Sequence, residues 1–316
     1  SDCRPRKGKL LSHKALYHYK GDKTMTINKA KNWIQHETGV AIQSMKRLPG
    51  STSSILHEVT TETLSVVLRQ IDNAEWLMEE PNIVRHEAAS LRKASASGLP
   101  APSLIAFDET GKASGLPSIL MTKVEGEVEL LPSDFTKWTD GLAKILATIH
   151  RVEANGFAWE YKAYTNRNEV KSPEWTTKPD EWQVAFERLH GEIPVFRETF
   201  IHRDFHPANV LWLGDDVSGV VDWPNACRGP VGIDVGHCRV NLALLHGVEV
   251  ADLFLTAYEK HAGSAFTYDS YWDIVSAFDF LDGPPTVYSG WAAFGVTGLT
   301  DAMMEERMDA FMESLV

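Results

Sequence analysis

IHRDFHPANVLW, residues 201–212, decides how this chain is read, because it supports two incompatible kinds of chemistry. Laid out as a strand, it would alternate His202, Asp204 and His206 onto one face as three metal ligands. As a loop running into a strand, it sets Asp204 and Asn209 five residues apart, the spacing at which a phosphoryl-transfer loop carries its base and its metal-binding amide. Pro207 weighs for the loop, since a proline directly after His206 breaks a regular strand and the three-ligand face would have to survive the kink. His202 is then expected to pack beneath the loop and fix its backbone.

Outward from this stretch, NVLW and SGVVDW read as the two strands of a hairpin joined by GDDVSG, the second strand ending at Asp222. The hairpin is expected to bring Asn209 and Asp222 near each other. Phosphoryl transfer needs a carboxylate to orient the attacking hydroxyl, and an Asn and a second Asp to hold magnesium on nucleotide phosphates. All three residues are present in that order.

Further upstream the periodicity changes. MTINKAKNWIQHETG opens with the candidate N-cap Thr26 and reads as an amphipathic helix. AIQSMKRL, SSILHEVTT and LSVVLRQI form a three-strand meander; PNIVRHEAASLRKASAS is a helix; SLIAFD and PSILMTKV are two more strands around the turn-rich ETGKASG. After Gly126 the chain is mostly helical by its three-to-four apolar spacing. The expectation is an α+β protein with a small β-rich lobe over residues 25–124 and a larger helical lobe over residues 125–316. Residues 1–24 read as a tail, with Met25 as the expected native start.

Composition narrows the partners. At 316 residues and 43% hydrophobic the chain can bury a sizeable core. Its net charge is −12, but residues 1–24 are basic, and without them 24 basic face 41 acidic residues, a balance of −17. Such a body repels nucleic acid and anionic membrane and suits a cationic small molecule, although acidity also serves solubility. No run approaches the roughly 18 apolar residues of a membrane span. Cys3, Cys227 and Cys238 are too few and scattered for a disulfide framework, so a reducing, cytoplasmic setting is expected. No protein partner is implied.

On HRDFHPANVLW, on VVDWPNACRGPVGIDVGH and on the N-terminal segments, the chain from about Ile42 to Leu245 resembles the aminoglycoside phosphotransferase family of protein-kinase-like small-molecule kinases. The resemblance implies a bilobal kinase fold, ATP or GTP as donor between the lobes, Mg2+, and a hydroxylated acceptor on the helical lobe. It makes Asp204 the catalytic base, Asn209 and Asp222 the magnesium ligands, and Asp234 a buried aspartate supporting the loop. In LSVVLRQI, strand alternation puts Val67 and Arg69 on one face, so a cation points where Val67 lines the cleft. The family has Lys there to hold the α- and β-phosphates; this chain has Arg69, with Glu87 as its implied ion-pair partner.

RLPGSTSS, residues 47–54, is a candidate phosphate-covering turn with Ser51 as its phosphate-contacting residue, although with Gly50 as its one glycine it equally reads as a plain hairpin loop. SILMTKVEG resembles the interlobe hinge, with Met121 walling the base pocket and the backbone of Thr122 and Val124 facing the nucleobase. His150 reads as a structural helix-end histidine. The aromatic stretch YDSYWDIVSAFDFLDG, with Asp273, Asp279 and Asp282, would suit a cation, against core packing as the simpler use of its rings.

The expected function is transfer of a γ-phosphate to a hydroxyl of a small molecule, an aminoglycoside or similar cationic antibiotic foremost. The alternatives are a metabolic kinase for choline, homoserine, a thio-sugar or a macrolide; an inactive nucleotide-binding pseudokinase, suggested by Arg69 and the glycine-poor loop; and a hydrolase on the His202, Asp204, His206 set.

Overall fold

The structure is a computed structural model describing residues 23–48 and 54–316. The chain divides into two compact units: the described residues before Glu127 together with Ser218–Asn225, and Glu127–Val217 together with Ala226–Val316.

The first unit runs α1 (Lys23–Thr38), β1 (Ile42–Arg47), β2 (Ile55–Thr61), β3 (Ser65–Gln70), α2 (Ala74–Glu79), α3 (Ile83–Ala96), β4 (Leu104–Asp108) and β5 (Ser118–Thr122). This is the expected helix followed by βββαββ, except that α1 already begins at Lys23, with Thr26 inside it rather than capping it, and that α2 is added. That single extra turn starts at Asn73, whose side chain accepts the Trp76 N–H at 3.0 Å, a cap supplied by a residue that otherwise reads as loop. The strands make one antiparallel sheet in the order β1-β2-β3-β5-β4.

Alternation along β3 sorts its side chains. Val66 and Leu68 join Val59 and Leu120 in a core with Ala30, Trp33 and Ile34 of α1. Full burial of such a side chain contributes about 1.5–3 kcal/mol, enough to lock the register of a strand whose one-residue slip would expose the set. Arg69, one residue on from Leu68, consequently takes the other face, where Glu87 of α3 meets it.

The second unit contains β6 (Glu127–Val128), α4 (Phe135–Ile149), α5 (Pro179–His190), β7 (Glu198–Ile201), β8 (Val210–Leu213), the start of β9 (Asp216–Val220), β10 (Cys227–Pro230), α6 (Val231–His246), α7 (Val248–Ala262), α8 (Tyr271–Asp279) and α9 (Asp301–Glu313). α6 is apolar around most of its circumference and is buried along nearly all its length, with α7, α8 and α9 packed against it. Its approach to α8 requires glycine: a Cβ on Gly236 would lie 2.5 Å from the Trp272 carbonyl oxygen. Among the described residues no helix is long and apolar enough to cross a membrane.

Three features depart from the sequence reading. The turn between β8 and β9 is only Gly214–Asp215, so β9 begins at Asp216 and ends at Val220, and Asp222 lies beyond it. NVLW and SGVVDW are not the only strands after Gly126: β7 and β10 pair antiparallel, Ile201 opposite Cys227 and Glu198 opposite Pro230. Four residues each, one of them CRGP with its glycine and proline, carry no usable periodicity. The aromatic stretch forms α8, with Tyr271, Trp272 and Phe278 buried, so core packing is the use its rings are put to.

Candidate active site

β7 and β10 place the loop. β7 ends at Ile201 and hands the chain to His202, while the paired β10 runs straight into α6, whose first turn carries Asp234. Asp234, fully buried, accepts the His202 N–H at Oδ2 and the Arg203 N–H at Oδ1, both at 2.7 Å, and receives His150 Nε2 at 3.1 Å. His150 caps α4, and its Nδ1 lies 2.6 Å from the Tyr258 hydroxyl. Burial alone would raise the Asp234 carboxyl, but the bond from His150 and the His202 amide hold it below the usual carboxylate range.

The grip matters because Arg203 sits at φ +68°, left-handed backbone that costs a non-glycine residue roughly 1–2 kcal/mol. Its guanidinium is buried, 3.7 Å over the Tyr164 ring and 5.0 Å over Tyr161, with Asp279 at 3.3 Å. Two aromatic faces and a carboxylate thus compensate a charge taken out of water.

The strained residue delivers Asp204, whose side chain keeps 31% of its exposure. His237 Nε2 lies 3.2 Å from Asp204 Oδ1, and His206 Nε2 lies 3.9 Å from the same oxygen. Burial pushes this carboxyl up, but the hydrogen bond from His237 and the neighbouring imidazoles outweigh it and bring it to about 2. After His206 the chain makes a short 3₁₀ turn, Pro207–Asn209, before β8. Asn209 donates from Nδ2 to the Asp204 carbonyl at 2.9 Å and contacts His206 Nε2 at 3.1 Å. The alternating strand face for a three-ligand metal site does not exist. Among the described residues no group of three or more His, Cys, Asp or Glu side chains could hold a metal.

In the first unit, Arg69 Nη1 lies 3.0 Å from Glu87 Oε1 and 2.5 Å from Asp222 Oδ1. Arg69 and Glu87 are buried; the Asp222 side chain is 34% exposed and its backbone is left-handed at φ +66°. Burial raises the Glu87 carboxyl against the pull of Arg69, with the negative charge of Asp222 adding to the rise. The sequence reading paired Arg69 with Glu87 but did not foresee Asp222 on the same guanidinium.

Met121 is buried in β5 opposite Val67. The Thr122 N–H donates to the Ser103 carbonyl at 2.9 Å, while its hydroxyl accepts the Ser103 N–H, also at 2.9 Å. These two bonds extend the β4–β5 pairing by one residue, and Val124 follows just beyond the end of β5. Ser51 lies outside the described residues. Two of the carboxylates considered for a cationic acceptor are already engaged: Asp273 by Arg239 and the Tyr268 hydroxyl, Asp279 by Arg203 and the Thr165 N–H. His237 escaped the sequence reading; its position three residues after Asp234, on the same helical face, was the available signal.

Among curated sequences, a homoserine kinase from Rhodopseudomonas palustris (strain BisB5) is 26% identical over 170 residues, 48% of this chain and 50% of the relative. One from Allorhizobium ampelinum is 32% identical over 143 residues, 40% of this chain and 42% of the relative. The chain therefore spans half or less of the length of these curated relatives. Among solved structures, a thermostable mutant of aminoglycoside phosphotransferase APH(4)-Ia superposes with a TM-score of 0.58 over 90% of this chain and 98% of its own, at 16% identity. Macrolide 2'-phosphotransferase type I does so at 0.58 over 94% and 97%, also at 16% identity. At such identities the likeness is one of fold, the α+β kinase-like fold. The sequence profile of the phosphotransferase enzyme family matches residues 45–272, well over half of the chain and including Arg69, the 202–209 loop, Asp222 and Asp234, and the chain belongs to that family.

Proposed function

We propose that the chain is a small-molecule kinase that moves the γ-phosphoryl group of ATP or GTP to an alcohol. The observation that carries this reading is the loop itself: Asp234 holds the His202 and Arg203 amides, and Asp204 is left ionised and partly open to solvent at the loop's turn. On this reading an Asp204 oxygen accepts the acceptor's O–H and orients its oxygen for in-line attack on the γ-phosphorus. As the new O–P bond forms, the bond to the β-phosphate oxygen breaks and the proton passes to the carboxylate. Residues 25–124 then serve the nucleotide, with Arg69 braced by Glu87 toward its phosphates and Met121, Thr122 and Val124 toward its base, and residues 125–316 serve the acceptor.

Asn209 and Asp222 are the residues that would hold magnesium. Asn209 has its Nδ2 turned to the Asp204 carbonyl and His206, so its Oδ1 is the end available to a cation. Asp222 offers a partly exposed carboxylate. Hard oxygen ligands in small number, completed by phosphates and water, are what this ion takes. When bound, magnesium neutralises charge developing on the phosphates. A nucleotide donor is supported by a related structure holding AMP-PNP together with hygromycin B. The buried thiols of Cys227 and Cys238 suit a reducing, cytoplasmic compartment.

For the acceptor, the net charge of −12 favours an amine-bearing alcohol, and an aminoglycoside or similar cationic antibiotic is the foremost candidate. The curated relatives favour a second, smaller one, homoserine. Transfer of labelled γ-phosphate from ATP and from GTP to hygromycin B and to homoserine, with magnesium, tests the reading. Wild type should label at least one acceptor, and Asp204→Ala should lose about 10²–10⁴-fold in turnover with nucleotide affinity within a few fold. No labelled product, or near-normal turnover by the variant, would sink it.

A further inference from the structure

Two imidazoles stand beside Asp204, and the hydrogen-bond pattern separates their roles. Asn209 Nδ2 must be a donor, because it contacts the Asp204 carbonyl oxygen at 2.9 Å. The same nitrogen lies 3.1 Å from His206 Nε2, which is therefore the acceptor of that contact and has no proton to give Asp204. Its 3.9 Å distance to Oδ1 is too long for a hydrogen bond in any case. His237 Nε2, at 3.2 Å from Oδ1, is left as the imidazole within donating distance of the carboxylate.

His237 is also well placed to fix a rotamer. It sits in α6 one turn beyond Asp234, so a single rigid, buried helix holds the loop at its backbone through Asp234 and at its working side chain through His237. The imidazole is 9% exposed and packs between Phe280, at 5.2 Å between ring centroids, and His206, at 5.9 Å. A side chain packed on two sides cannot follow a wandering carboxylate, so the carboxylate must come to it.

We infer that His237 is a positioning residue: by occupying Oδ1 of Asp204 it fixes the carboxylate plane and presents Oδ2 to the acceptor hydroxyl. This rests on the proposed kinase activity with Asp204 as base. A carboxylate free to rotate about its terminal bond would offer either oxygen in many orientations, and misplacement by about 1 Å in such a group costs on the order of 10²-fold.

The test compares His237→Leu, which fills the space without a donor, with His237→Gln, which restores an N–H of similar reach. Their kinetics are measured with whichever of homoserine and hygromycin B the wild type phosphorylates. His237→Leu should lower kcat about 10- to 100-fold with the nucleotide KM within about twofold, and His237→Gln should recover most of the loss. A kcat for His237→Leu within twofold of wild type, or a Gln variant no better than Leu at an equal melting temperature, overturns the role. A second readout needs no turnover: ¹⁵N-histidine NMR of the ligand-free full chain should show His237 protonated at Nε2, with that resonance moved in Asp204→Ala. Protonation at Nδ1 in the wild type overturns the inference. If the wild type phosphorylates neither acceptor, the kinase reading is what has failed, and the NMR result alone decides the contact.

Discussion

Arg69 Nη1 lies 3.0 Å from Glu87 Oε1, and both side chains are almost wholly buried, at 5% and 1% exposure. An ion pair so far out of water does not behave as two separate residues. Losing Arg69 leaves the buried Glu87 without its cation, a cost of about 3–5 kcal/mol, whereas losing Glu87 leaves Arg69 with Asp222 alone, so the two effects share one cluster and cannot simply add. Arg69→Ala and Glu87→Ala should each lower kcat/KM substantially, by roughly 10²-fold, and the double variant should be little worse than the poorer single one. Arg69→Lys keeps the charge and should retain much of the activity, though not the fork that now also reaches Asp222. Steady-state kinetics on the four variants check this; fully additive losses would show that the pair does not act as a unit.

Asp222 is held by Arg69 at 2.5 Å and is the one carboxylate of that cluster with substantial exposure. If it is a magnesium ligand, Asp222→Ala should leave nucleotide affinity the same with and without magnesium, whereas wild type should bind more tightly with the ion. Calorimetric titration of nucleotide into both proteins measures it. A magnesium-dependent gain preserved in the variant would place the ion elsewhere.

Asp234 should contribute to the acid limb of stability, together with Asp204, whose carboxyl is also held low. Its folded pKa is depressed, so its contribution is fully present above the unfolded value of about 3.9 and is lost as pH falls through the folded value. Urea unfolding of the wild type should therefore weaken from about pH 4 downward. Asp234→Ala should lose about 3–5 kcal/mol at neutral pH and show a shallower slope over that acid range. A variant with the wild-type slope would assign the acid limb to other carboxylates.

Gly236→Ala sets two effects against each other. Alanine gains about 1 kcal/mol of helix propensity, but the new Cβ would sit 2.5 Å from the Trp272 carbonyl oxygen and 2.8 Å from Ser276 Oγ. Pressing one helix against the backbone of another costs about 1–3 kcal/mol, and the backbone of α8 cannot rotate away as a side chain would. The net expectation is a lowered melting temperature in thermal denaturation; a raised one would mean that α8 slides aside at little cost.

What the sequence determined by itself was local. Pro207 directly after His206, the apolar alternation of LSVVLRQI and the three-to-four spacing of LAKILATIH are written in neighbouring residues, and short-range sterics and periodicity suffice to read them. The loop, the order of elements and the face of Arg69 were legible for that reason. What only the tertiary structure decided was non-local. β7 and β10 stabilise each other across 25 intervening residues, neither having a pattern of its own. Their pairing sets Asp234 under the loop, sends His237 to Asp204 and lets two tyrosines enclose Arg203. A buried charge is tolerable only beside its compensating partners, and which residues become partners is settled by packing between distant segments rather than by the propensity of either one.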